Sequence, residues 1–114
     1  MSDCLFCRIV AGKIPATIVE RGDHLVAISD INPQAPLHLL IIPHRHIPTL
    51  NDLTPDDDAL VGSMFRFAAA LAGRHGYAER WYRTCFNCNR DAGQTVFHIH
   101  LHLLAGRGLG WPPG

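Results

Sequence analysis

His98, His100 and His102 occupy every second position of the run Gln94-Thr95-Val96-Phe97-His98-Ile99-His100-Leu101-His102-Leu103-Leu104. Side chains alternate across an extended strand, so this spacing puts three imidazoles on one face, about 7 Å apart in successive steps, and buries Ile99, Leu101 and Leu103 on the other. Imidazole is the side chain best suited to giving, taking or attacking at neutral pH, and a row of three brings no evident packing gain. Two chemistries fit the triplet: acid–base or nucleophilic work, and chelation of a metal by neutral ring nitrogens. The triplet alone does not choose between them.

The four cysteines form two Cys-x-x-Cys pairs. Cys4 and Cys7 stand on a first helical turn and present two thiolates suited to zinc, for which two histidines would complete a tetrahedron. Cys85 and Cys88 fall in a predicted strand, where residues three apart point to opposite faces, so they read as packing plus a loop thiol. His24, His44 and His75 lie among turn residues and charges and receive no function.

These side chains need a scaffold, and the sequence outlines one. A short helix over Cys4 to Val10 stops at Gly12, and Lys13-Ile14-Pro15-Ala16 forces extended chain. Strands over Thr17 to Glu20 and His24 to Ser29 flank the turn Arg21-Gly22-Asp23. The proline-punctuated loop Asp30 to Pro36 then leads to the strongest strand, Leu37 to Ile42. Thr54-Pro55-Asp56-Asp57 starts a long helix that runs to about Ala72 and closes at Gly73. Its stripe of Leu60, Met64, Phe67, Ala68 and Leu71 faces a core or a second copy. Trp81 to Asn87 and Val96 to Leu104 are two further strands across the turn-rich Asn89 to Gly93. The expected fold class is α+β: a five-stranded, mainly antiparallel sheet with one long helix and a short N-terminal one.

At 114 residues the chain is expected to be one domain, 1–114, for which association with a second copy would help cover the sheet. Ten Lys and Arg balance ten Asp and Glu, so nothing electrostatic recommends a nucleic acid polymer. No apolar run approaches a membrane span, and Met1-Ser2-Asp3-Cys4 lacks the basic-then-apolar pattern of a secretory leader. The expectation is a cytoplasmic protein with reduced thiols.

Gly93-Gln94-x-Val96-x-His98-x-His100-x-His102 resembles the signature of the histidine-triad superfamily of nucleotide-binding hydrolases and transferases. The resemblance extends through Cys4-Leu5-Phe6-Cys7, Lys13-Ile14-Pro15-Ala16, Asp30-Ile31-Asn32-Pro33-Gln34-Ala35-Pro36-Leu37-His38, Ile42-Pro43-x-x-His46-Ile47 and the terminal Trp111-Pro112-Pro113-Gly114. Together these are similar to the Hint branch, whose members are homodimeric purine nucleoside phosphoramidases. The resemblance implies cleavage of the phosphorus–nitrogen bond of purine nucleoside 5′-phosphoramidates through a nucleotidyl-histidine intermediate on His100. A backbone carbonyl of its own strand would hold the other ring nitrogen. It further implies that His102 donates to a nonbridging phosphate oxygen and that His38 lies behind the nucleophile as a hydrogen-bonded support. Thr95 takes the place of a small hydroxyl near the phosphate or the leaving amine.

By the same resemblance, Asp30 accepts hydrogen bonds from both ribose hydroxyls, and Ile14, Ile28 and Ile31 enclose the purine, with Ile28 standing where an aromatic is common. Asn87 and Gly93 line the phosphate side, and Trp111 reaches the neighbouring subunit's pocket. Relatives of bacterial type nominate Cys4, Cys7, His46 and His98 as ligands of a structural zinc, with His98 bracing the catalytic strand. The readings that compete with a phosphoramidase are a dinucleoside polyphosphate hydrolase and a non-catalytic, dimeric nucleotide-binding adaptor. The short Trp111-Pro112-Pro113-Gly114 end favours the phosphoramidase over the first, and the intact triplet argues against the second.

Overall fold

The computed structural model describes residues 3–114, so the first two residues of the N-terminal reading lie outside the described residues. Five strands form one sheet in the order β1-β2-β3-β5-β4, and every neighbouring pair is antiparallel. The strands are β1 (Ile18–Arg21), β2 (Leu25–Ser29), β3 (Leu37–Pro43), β4 (Arg83–Cys85) and β5 (Leu101–Ala105). Helix α1 is Leu5–Val10 and helix α2 is Asp58–Arg74.

β3 lies in the middle, and its residues Leu39 to Pro43 are all buried because both faces of the sheet are covered there. The odd-numbered Leu39 and Ile41, with Leu101 and Leu103 of β5, pack under Met64, Ala68, Leu71 and Ala72 of α2. The even-numbered Leu40 and Ile42, with Val26 and Ile28 of β2, pack under Phe6 and Ile9 of α1. The strand period of two thus divides one run into two cores. His38 and His102 belong to the α1 side, because the register sets Leu40 opposite His102 and His38 opposite Leu104.

Three boundaries differ from the sequence expectation, each for a physical reason. The strand expected over Val96 to Leu104 is regular only from Leu101, since its partner β3 ends at Pro43, which has no N–H to extend the ladder. Before Leu101 the Ile99 amide leaves the ladder and donates to the Ile47 carbonyl at 2.7 Å. β4 is three residues long where seven were expected, because it pairs only with the part of β5 that is itself regular. In α2, Gly73 is an interior residue. The stop is Gly76 at φ +86°, where the Gly76 amide donates to Gly73 O (3.1 Å) and the Tyr77 amide to Ala72 O (2.8 Å). The helix opens with a single 3-10 turn, Pro55–Asp57, before its first α residue Asp58.

α1 ends as expected. Gly12 sits at φ +77°, its amide donates to Ile9 O and the Lys13 amide donates to Arg8 O, a closure that a left-handed glycine makes without strain.

Candidate active site

The three histidines of the triplet differ in what holds them, and the difference assigns each ring nitrogen. The fully buried His98 donates from Nε2 to the carbonyl of Pro43 at 2.7 Å, which leaves Nδ1 as its lone-pair nitrogen. His100 donates from Nδ1 to the carbonyl of His98 at 2.8 Å, which leaves Nε2 with the lone pair. His102 is set by a relay that begins on the main chain. The Gln34 amide donates to His38 Nδ1 (3.0 Å), so the proton of His38 is on Nε2. That nitrogen donates to His102 Nδ1 at 2.9 Å, so the proton of His102 is on Nε2. One ring therefore offers an electron pair, the next offers a proton, and the third turns its lone pair away from both.

All the triad rings, and His38, are held below the ordinary histidine value of 6.5, burial being the first cause in each. For His100 the hydrogen bond to His98 and the Asp30 carboxylate work the other way. His102 is pushed down to about 4, by burial and then by the neighbouring His100 and His38. For His38 burial outweighs the pull of Asp30. These rings are neutral at pH 7, the state that nucleophilic attack requires of His100 and that the assigned protons require of His102.

His100 and His102 line a cleft of about 260 Å³ whose walls include Ile28, Asp30, Ile31, Asn87, Gly93 and Thr95. Ile28 is buried in its floor and Ile31 is fully exposed at its rim. Gly93 adopts φ +91° at the end of the turn Arg90–Ala92, a conformation that suits glycine and brings backbone to the cleft. Asp30 caps its turn, accepting from the Asn32 amide at 2.8 Å through Oδ1, while Oδ2 lies 3.4 Å from His38 Nε2. The cap and a place in the cleft wall coexist on one carboxylate.

Two expected residues stand elsewhere, and Trp111 stands clear of its own chain's cleft. His38 lies against His102 and not behind His100. Ile14 is not in the cleft wall and lies partly buried against the α1-side core. Trp111 is 84% exposed, with the preceding Gly110 carbonyl held by Arg83 at 2.8 Å, so any part it plays in a cleft needs a second copy.

Leu5, Phe6, Leu40 and Val96 also line the cleft and were not anticipated. Phe6 meets His100 edge to face, with ring centroids 4.9 Å apart and planes at 85°. Its position between two candidate ligands was the available signal. Gln94, quoted above only as part of a motif, is a buried clamp. Its amide donates to Pro48 O (2.8 Å) and Val96 O (3.1 Å), and its carbonyl accepts from the Asn89 amide (2.8 Å). Those bonds fix the loop that carries Asn87, Gly93 and Thr95.

Cys4, Cys7, His46 and His98 converge beside this cleft, their four donor atoms lying within 4.8 Å of one another. His98 Nδ1 is 3.3 Å from Cys4 Sγ, 3.6 Å from Cys7 Sγ and 3.2 Å from His46 Nδ1, and Cys7 Sγ is 3.4 Å from His46 Nδ1. A tetrahedron with Zn–N of about 2.0 Å and Zn–S of about 2.3 Å has edges of about 3.3–3.8 Å, so the donor set and its spacing fit that ion. The Pro43 carbonyl on the far nitrogen of His98 is the outer support that metal-binding histidines ordinarily have. Cys85 and Cys88 belong to no such group among the described residues, and burial pushes the Cys85 thiol up.

The family model described as scavenger mRNA decapping enzyme C-term binding matches residues 3–109. A purine nucleoside phosphoramidase of Escherichia coli strain K12 is 46% identical over 108 residues, 95% of this chain and 91% of that one. The crystal structure of a HIT family hydrolase from Legionella pneumophila Philadelphia 1 superposes with a TM-score of 0.96 at 52% identity, covering 98% of this chain and all of that one. A Zn-bound histidine triad family protein from Mycobacterium smegmatis superposes with a TM-score of 0.80 at 33% identity, covering 99% and 81%. With the spaced histidines, the sheet that carries them and these relatives in accord, the chain belongs to the histidine-triad (HIT) family of hydrolases.

Proposed function

We propose that the protein hydrolyses purine nucleoside 5′-phosphoramidates, with His100 as the nucleophile. The observation that carries this reading is the bond from His100 Nδ1 to the His98 carbonyl, which leaves Nε2 with its lone pair on a ring that lines the cleft. In this mechanism Nε2 attacks the α-phosphorus, and the electron pair of the phosphorus–nitrogen bond goes to the amine, which takes a proton from solvent water as it departs; the water that attacks in the second step returns a proton to solvent. Water then attacks the phosphorus, the bond to Nε2 breaks, and the nucleoside monophosphate leaves with His100 restored. The Nε2 proton of His102 is directed to a nonbridging oxygen, where negative charge accumulates. His38 acts on His102 as its support, and Asn87, Gly93 and Thr95 form the phosphate wall.

Asp30 is assigned to the ribose hydroxyls, Ile28 and Ile31 to the base, and Ile14 to the packing behind them. Cys4, Cys7, His46 and His98 are assigned as zinc ligands. Zinc bound there would supply a cross-link and no open coordination position, because the protein fills all four. Trp111 is assigned to the cleft of a second copy in a homodimer. The deciding experiment is product analysis: adenosine 5′-phosphoramidate turned over in preference to diadenosine tetraphosphate, with labelled nucleotide trapped on the wild-type protein by acid quench. Faster turnover of the dinucleotide, or binding with no trapped nucleotide at any time, overturns the reading.

Three further outcomes are expected. Asp30→Asn should raise KM for an adenosine phosphoramidate about 10- to 100-fold while the 2′-deoxy substrate changes little, since only the ribose can use both carboxylate oxygens. Equal losses on the two substrates would remove Asp30 from that role. With His100 and His102 below 6.5, kcat/KM should be level from pH 8 to about 6.5 and its acid limb should lie lower still. Stability should follow the same sign. The unfolded chain takes up protons on these rings below 6.5, where the folded chain resists until about 4 for His102, so resistance to urea should fall across that window. A protein equally stable at pH 7 and pH 4.5 would contradict this.

A further inference from the structure

The segment Cys4-Leu5-Phe6-Cys7 does two jobs in four residues. Its ends carry two donors of the metal group, and its middle, Leu5 and Phe6, forms part of the cleft wall. Phe6 is buried, stands edge to face with His100, and lies in the same way near the metal-group residue His98, with centroids 6.0 Å apart and planes at 74°. α1 has only six residues, too few to hold helical form alone, and it seats on the sheet through Phe6 and Ile9. What fixes the start of this helix therefore also fixes the aromatic ring packed on the nucleophile.

We propose that Phe6 is a positioning residue for His100, that metal held by Cys4, Cys7, His46 and His98 sets its place, and that metal and nucleotide consequently bind with positive coupling. The coupling rests on the nucleotide reading given above. It arises because ordering Leu5 and Phe6 is a cost common to both ligands. Whichever binds first meets that cost, and the second finds the wall already formed. Linkage then requires the effect to be reciprocal: zinc tightens nucleotide and nucleotide tightens zinc by one factor. A second path from metal to nucleophile runs through the main chain of His98, whose carbonyl holds His100 Nδ1. Only the first path passes through Phe6.

The test uses the zinc-loaded full chain and AMP as the probe. Calorimetry should show AMP binding weakened about tenfold when zinc is removed by a chelator. A competing chelating dye at equilibrium should show zinc held about tenfold more tightly at saturating AMP. The Phe6→Ala protein should still bind one zinc per chain, and the coupling factor should fall toward one. AMP affinity indifferent to zinc, with zinc affinity indifferent to AMP, refutes the coupling while leaving the nucleotide reading intact. Full coupling retained in Phe6→Ala refutes the part given to Phe6, including the case in which the stripped protein unfolds and couples the two ligands only through folding. Loaded protein that binds no AMP refutes the nucleotide reading itself, and the coupling with it.

Discussion

Replacing His100 by alanine is expected to lower kcat for an adenosine 5′-phosphoramidate by at least about 10,000-fold, with AMP affinity changed no more than a few fold. The size follows from what the residue does. A covalent route exists only if a neutral imidazole presents a lone pair to phosphorus, and no neighbouring ring can stand in. His98 has its free pair on Nδ1 in the Cys4, Cys7 and His46 group, and His102 has Nδ1 occupied by His38. Binding should persist because the residues assigned to base and ribose lie on β2 and the loop that follows it. Steady-state kinetics with acid-quench trapping measures both halves. A variant that still turns over within tenfold of the wild-type rate removes His100 from the nucleophile's place.

Cys4→Ser is expected to abolish stoichiometric zinc and to lower unfolding stability by about 4 kcal/mol when free zinc stands about a thousandfold above the dissociation constant of the intact site. Serine is nearly the shape of cysteine but a poor partner for this ion, so the change isolates ligation from packing. Three donors would remain, on α1, the loop after β3 and the chain before β5. Metal analysis of purified protein together with thermal unfolding, with and without added zinc, gives the result. Unchanged melting for Cys4→Ser and wild type, whether zinc is added or chelated, would mean that the four side chains do not form a structural metal site.

Much of the fold was legible because the apolar pattern states its own period. Leu37 to Ile42 reads as the strongest strand, and Leu60, Met64, Phe67, Ala68 and Leu71 read as one stripe of a helix; both stand where expected. What the sequence did not disclose was where pairing stops. Phe97 to His100 alternates as well as any strand, yet it lies outside the regular ladder because its would-be partner turns away at Pro43, a fact about another segment. Gly73 and Gly76 both look like helix stops, and only the closing bonds to Ala72 and Gly73 tell them apart.

The site divides in the same way. His98, His100 and His102 were legible from spacing, and the Cys4 and Cys7 pair from its first-turn position. That His38 meets His102 and not His100 depends on the β3–β5 register, which fixes diagonal neighbours that no local pattern encodes. Phe6 escaped notice because an aromatic between two cysteines looks like ordinary core until the helix is seated. Ile14 had the converse fate, an apolar residue expected at the cleft that lies half-buried against the α1-side core.

The proton positions on these rings trace back to peptide groups: the carbonyls of Pro43 and His98, and the amide of Gln34 acting through His38. The reactivity of each imidazole is thus inherited from the path of the backbone, and surrounding side chains have wide latitude to drift without exchanging one histidine's trade for another's. An inserted residue between Leu39 and Pro43, or within Ile31 to Pro36, would shift those peptide groups and scramble the assignments, even with every histidine still present.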